Sequence, residues 1–453
     1  MPDAVDRQSG GAAGGDRGYL ALLVLINVAS QGLLGLLAPL TDELAQGLKI
    51  DLRQIGHIQT AFLIAYAVST PVWADVSSRF SRHALLTGVS VLWALSCALL
   101  GLISDPRLFV GVFCLAAVGI AGIVPLTFSM SVDLVPSERR GQAFGWLATA
   151  HTLSMGVAFA VGGVLGERFS WRLPFFVFAA LGVATIVALL TWKRYEPRSG
   201  AMEHELRDLF HDGGRYQHQI GLNNINLLWR PLTNLWLVCA AVLATVPLGG
   251  LAFWMIAMLR HDHGFDAADA TLWVIGLFLI QVPGAIIIGK FGDRCARRTA
   301  SAKPWLLFTL TLLVCPCYLI GFQLSWEAAL PLTAGCLGFC LLVLVGAFLA
   351  CGLPPLWFNA VGDINLPEKR GVVFGMLNFS QLVGRAIGVQ LVVWLSATWH
   401  AGQISPAIGW LAVLFLPSAL CLWPVVRTAN RDRRRLSGAL RGYADSQDSG
   451  RAA

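Results

Sequence analysis

At 453 residues, with 56% hydrophobic and 13% charged side chains, the chain is too apolar to cover itself in water. Soluble proteins carry about 25% charged residues. This composition excludes a soluble multidomain protein, and the net charge of +7 is accounted for below by membrane topology, without a nucleic-acid partner.

A bilayer core takes about 20 apolar residues per helix. Twelve such runs follow one another at 19–41, 54–76, 84–103, 108–132, 141–166, 173–192, 232–258, 271–289, 304–323, 329–361, 371–397 and 403–426. The run Leu341 to Ala350 is continuous, whereas strands of a transmembrane barrel alternate in polarity. The reading is an all-α membrane protein of twelve transmembrane helices.

With the N-terminus in the cytoplasm, the inner segments hold 26 of the 33 Lys and Arg residues and the outer loops hold 6. Positive residues stay on the cytoplasmic side, so both tails are predicted inside, at 1–18 and 427–453. The second tail carries Arg431, Arg433, Arg434 and Arg435. It reads as a topology anchor, with anionic-lipid docking as the alternative. Nine of the ten cysteines fall in the apolar runs and Cys295 in an inner loop. That pattern predicts neither a zinc site nor an outer disulfide.

The chain also repeats. Shifted by 230 residues, Gly122–Gly145 overlies Gly352–Gly375 with ten identities in 24 positions, among them Pro125/Pro355, Asp133/Asp363, Glu138/Glu368 and Arg140/Arg370. Two pseudo-symmetric six-helix bundles are therefore predicted at 19–192 and 232–426, joined by a cytoplasmic linker at 193–231.

Polar residues inside spans are costly and mark pathways or sites. In chain order they are Asn27 and Gln31 on one face of the first helix, Tyr66 on the second, His151 on the fifth and Gln281 on the eighth. On the eleventh, Asn378, Gln381 and Arg385 share a face at spacings of three and four. No carboxylate lies near the midplane; Arg385 is the one charge there. A guanidinium flanked by amides suits a phosphate, sulfate or carboxylate. The rival role for Arg385 is structural, tied to backbone carbonyls. For His151 a buried neutral imidazole competes with a titrating one, and the amides serve equally as glue between helices.

The inner loop after the eighth run reads Gly289-Lys-Phe-Gly-Asp293-Arg294-Cys-Ala-Arg297-Arg298. With the two sixfold halves, this resembles the major facilitator superfamily over nearly the whole chain. The resemblance implies that family's fold and alternating-access transport of a small molecule. It implies no enzyme activity and so no catalytic residues, no cofactor and no metal, and we expect a monomer. It also assigns the motif to a latch that favours closure on the cytoplasmic side. The first-half counterpart, Ala74-Asp75-Val-Ser-Ser78-Arg79-Phe-Ser-Arg82-His83, lacks the Gly and displaces the Asp. Asp75, Arg79 and Arg82 are its candidates, and Asp133, Arg140, Asp363 and Arg370 are the repeated loop positions.

Within the superfamily, the stretch from Gln59 through Tyr66 to Pro71, together with Asn27, resembles spinster-type transporters of lysophospholipids and related amphiphiles. The charged positions of that branch are matched here by Ser30, Gln31 and Gly122, so the resemblance does not carry proton coupling. The helix-5 stretch at Ser154–Gly163 keeps the small residues of drug antiporters but has Phe159 in place of Pro. The expected substrate is an anionic or amphiphilic organic solute. Polyspecific drug or metabolite efflux and a sugar-type carrier are the alternatives, with a non-transporting sensor behind them. The abundance of Ala, Gly, Leu and Arg points to a bacterial inner membrane.

Overall fold

The computed structural model describes residues 18–134, 140–192, 232–296, 302–327, 333–364, 367–428 and 431. The linker and most of both tails fall outside these. The described residues form α1 (Gly18–Leu48), α2 (Leu52–Arg79), α3 (Arg82–Leu102), α4 (Pro106–Leu134), α5 (Arg140–Arg168) and α6 (Leu173–Thr191). They continue through α7 (Leu232–His261), α8 (Ala267–Ala296), α9 (Ala302–Gly321), α10 (Ala334–Ala350 and Leu353–Ile364), α11 (Pro367–Trp399) and α12 (Ile404–Thr428). Eleven of the twelve are long and apolar enough to cross a membrane, and α5 is the twelfth. The protein is an all-α, multi-pass membrane protein.

Local chemistry explains where helices start and break. Ser81 caps α3 by accepting the Ala84 N–H, and Thr333 does the same for Cys336 at the start of α10. Pro354 and Pro355 follow a break at Cys351–Gly352 that divides α10 in two. Proline is tolerated in a first turn, where its missing N–H would have no partner. In α1 the regular helix gives way to a tighter turn at Ala38–Leu40 around Pro39.

Two compact units divide the chain, one of Met1–Glu43 and Val68–Gly214, the other of Leu44–Ala67 and Arg215–Ala453. The first half of α2 thus belongs to the second unit. In the first unit, small residues bring backbones together. A methyl on Gly182 of α6 would meet Ala94 of α3 at 2.5 Å, and one on Gly119 of α4 would meet the Trp93 amide at 2.9 Å. Ser154 of α5 donates to the Val28 carbonyl of α1.

The second unit is built on an even closer approach of α7 and α11. Gly384 and Gly388 of α11 lie on Thr245 and the Val246 carbonyl of α7, while Gly249 lies on the backbone of Arg385. The α7 indole of Trp254 is buried and donates to the Val389 carbonyl at 2.9 Å. Without a hydrophobic drive between helices in lipid, such small-residue packing and interhelical hydrogen bonds hold the bundle.

Candidate binding site

The site is assembled on α11. Arg385 lies ten residues after Gly375 and 14 before Trp399, the ends of the membrane-crossing part of this helix. At 1.5 Å per residue it is roughly 15 Å and 21 Å from them, in the middle of the bilayer core. The glycine contacts with α7 fix the rotation of α11, and Arg385 itself is half-buried.

One turn earlier, Gln381 is 8% exposed and its Nε2 has no hydrogen-bond partner. A buried amide without a partner costs about 1–3 kcal/mol. Asn378, one turn further back, is half-buried. Tyr66 of α2 is buried and is an electrostatic neighbour of Arg385. The structure therefore brings together four of the predicted residues, three along one helix and Tyr66 beside Arg385. A positive charge, an unpaired amide and a nearby phenol form a set suited to an anionic oxygen group.

Gln281 of α8 is half-buried in the same unit. The other candidates belong to the first unit. Asn27 is buried, and both its amide hydrogens are engaged, with the Leu23 carbonyl and with Thr127 Oγ1 of α4, each at 2.8 Å. It ties α1 to α4. Gln31 is buried one turn on. His151 lies on α5, and its side chain is outside the described residues.

The Gly289–Arg298 motif is helical rather than looped over its described part, which ends at Ala296. Gly289, Asp293 and Arg294 lie in the last turns of α8, with Arg294 exposed. A methyl on Gly289 would meet nothing within 4 Å, whereas one on Gly292 would meet Leu356 at 3.2 Å. Asp75 and Arg82 are half-buried at the end of α2 and the start of α3. Arg79, Asp133, Arg140, Asp363 and Arg370 occupy helical positions, with side chains outside the described set; Arg297 and Arg298 lie wholly outside it.

Sequence reasoning missed one polar pair and one packing motif. Gln390 Nε2 donates to Thr60 Oγ1 at 2.8 Å, and Thr60 Oγ1 reaches the Ala386 carbonyl at 3.4 Å. Nothing in either residue's neighbourhood signals the pairing, since they are 330 apart. The Gly384-Arg-Ala-Ile-Gly388 spacing was legible as a close-packing motif.

A polytopic bundle with a polar strip at mid-membrane on one helix, a charge within it and small-residue crossings around it is the design of a membrane carrier. Residues 20–389 match the Major Facilitator Superfamily, and the chain belongs to that superfamily of transporters. It is 25% identical over 444 residues to an MFS-type efflux pump of Mycolicibacterium smegmatis, covering 95% of this chain and 96% of that protein. In fold it is similar to a bacterial homologue of the human lysosomal transporter spinster, in an inward-facing and unoccupied conformation. The TM-score is 0.76 at 18% identity, over 92% of this chain and 98% of that one. A similar likeness links it to the human organic anion transporter MFSD10, with TM-score 0.61 and 19% identity over 90% and 99% of the two chains.

Proposed function

We propose that the protein carries an organic anion, amphiphilic in character, by alternating access, with Arg385 binding the anionic group and Gln381 and Asn378 completing its shell. The observation that carries this reading is the pairing of a mid-membrane arginine with the buried, unpartnered Gln381 amide one turn away. Tyr66 beside Arg385 supports it, and the organic anion transporter among the fold relatives is consistent with it. Asn27, Gln31, His151 and Gln281 are secondary candidates for the same pathway. Two six-helix bundles at 19–192 and 232–426 would rock around the site, with the α8 motif and its counterparts as the cytoplasmic latch. We place the protein in a bacterial inner membrane with both tails in the cytoplasm.

A second reading, polyspecific efflux, is favoured by the relative named as an efflux pump. Ligand-dependent thermal stabilisation separates the two. A ligand at a hundred times its dissociation constant adds about 2.7 kcal/mol of stability. Lysophospholipids, alkyl phosphates, alkyl carboxylates, sugars and lipophilic cations are compared on wild type, Arg385→Ala and Arg385→Lys. Anionic amphiphiles should stabilise wild type, not Arg385→Ala, and Arg385→Lys only weakly. Stabilisation by cations or neutral compounds, equal in all three, would replace the anion reading with the efflux one.

A further inference from the structure

We propose that the end of α12 and the start of α9 form a binding site for one anionic phospholipid. Arg427 would hold the lipid phosphate, and a shelf of Trp305, Phe308 and Trp423 would receive the glycerol and the first part of an acyl chain. Arg427 is exposed in the last turn of α12, with its guanidinium carbon 4.9 Å from the centroid of the Trp423 ring. The two residues are four apart, so they share one helix face. Trp423 meets Trp305 of α9 edge to face, with centroids 5.6 Å apart and planes at 89°, and Phe308 is 5.7 Å from each indole. Trp305 is 43% exposed and Trp423 39%, so the shelf faces outward, toward lipid. Leu420 and Leu416, both exposed, continue the same face of α12 toward the middle of the bilayer.

Tryptophans at headgroup level are common in membrane proteins and need no order among themselves. Here three rings from two helices are set against one another and under a cation. The exposed pair Trp394 and Trp399 has no such cation among the described residues. The other stacked arginine, Arg172 on Trp171, is engaged, because it donates to Ser104 Oγ at 2.8 Å. Arg427 makes no side-chain hydrogen bond or ion pair among the described residues, and neither α9 nor α12 contains an acidic residue. Stacking holds the guanidinium by its face and leaves its N–H edges outward, the arrangement that takes a phosphate through two parallel bonds. The hydroxyls of Thr428 and of Thr233 on α7 are 2.7 Å apart, which holds the last turn of α12 in place. The bias of Lys and Arg predicts this end of both helices in the cytoplasmic leaflet, whose anionic lipids attract basic residues beside the membrane. A lone arginine there attracts any negative surface. The shelf selects a single lipid molecule, because one set of side chains meets both its phosphate and its chain.

The site does not depend on what the protein transports, and the test separates the two. Native mass spectrometry of the full chain in detergent, with equal amounts of phosphatidylglycerol and phosphatidylcholine, reads which lipid is retained first. Both carry a phosphate, but choline adds a positive charge that would face the guanidinium. Wild type should retain phosphatidylglycerol over phosphatidylcholine by roughly fivefold. Arg427→Gln should lose the preference. Arg427→Lys, which keeps the charge without the stacked fork, and Trp423→Leu, which removes the stacking surface, should each weaken it. Arg385→Ala and a tail variant with Arg433→Gln and Arg434→Gln should keep it. No preference in wild type, or one that survives both Arg427→Gln and Trp423→Leu, would overturn the site. Loss in the tail variant with Arg427→Gln unaffected would make the basic tail the attractor. Loss in Arg385→Ala with Arg427→Gln unaffected would put the lipid at the mid-membrane arginine. Either result also overturns the shelf, whereas failure of transported anions to bind at Arg385 would leave it standing.

Discussion

His263, in the turn between α7 and α8, shows how one side chain can depend on its surroundings for its charge. It is 4% exposed and stacks on Trp326 with ring centroids 4.3 Å apart. Its Nδ1 is 2.8 Å from the Trp326 carbonyl, which only accepts, so Nδ1 carries the proton and Nε2 is left buried without a partner. A second proton would create a buried N–H⁺ with no acceptor. Burial accordingly pushes the imidazole below its ordinary value of 6.5, more than the carbonyl and the neighbouring Asp262 raise it. Next to it, burial raises the Asp262 carboxyl above its ordinary 3.8, although the Ser405 and Ile404 amides it accepts at the start of α12 pull the other way. Between the depressed value and 6.5 the unfolded chain binds more protons at His263 than the folded one. This contribution is therefore whole above 6.5 and is lost as pH falls below it. Asp262 has the opposite sign, gaining stability as pH falls through its raised value toward 3.8. Thermal unfolding of wild type relative to His263→Gln should show wild type losing ground from pH 7.5 to 5.5. A constant difference would mean that His263 is not held neutral.

Among the helices, the α7–α11 crossing does the most to position the site. Gly388 faces the Val246 carbonyl with no side chain between the two backbones, while Gly384 faces the Thr245 hydroxyl and the Val242 carbonyl. The obstacle to any atom added at Gly388 is backbone, which cannot rotate away as a flexible side chain can. Overpacking of this kind costs about 1–3 kcal/mol. Gly388→Ala should lower thermal stability by that order and weaken ligand stabilisation through displacement of Arg385. Gly375→Ala on the same helix meets nothing within 4 Å and should leave stability unchanged. Equal effects of the two substitutions would show that close approach is not what glycine supplies at 388.

For the whole molecule, the charge distribution makes a topological prediction. With 26 of 33 basic residues on one side, the positive-inside bias predicts where each loop lies. A phosphatase reporter fused in the turn at 103–105 or after His400 should be active outside the cytoplasm, and one fused at the C-terminus should be silent. The reverse pattern would invert the protein and exchange the sides assigned to the α8 motif and the His263 turn.

What the sequence by itself determined are the properties that add up locally. Apolar runs of about 20 residues identify spans. The bias of Lys and Arg predicts sidedness, and the 230-residue repeat with the Gly289–Arg298 motif points to the superfamily, which the family match establishes. Asn378, Gln381 and Arg385 were legible as one face because helical spacing alone places them there. What only the tertiary structure decided are the partners. Asn27 donates to a threonine 100 residues away, Arg385 has Tyr66 as its neighbour, and Thr60 holds Gln390 across 330 residues. The physical reason is that lipid exerts no hydrophobic force to set the rotation of one helix on another. Rotation is decided instead by where backbones can touch, here at Gly249, Gly384 and Gly388, and only that contact determines which polar side chains come within reach of one another.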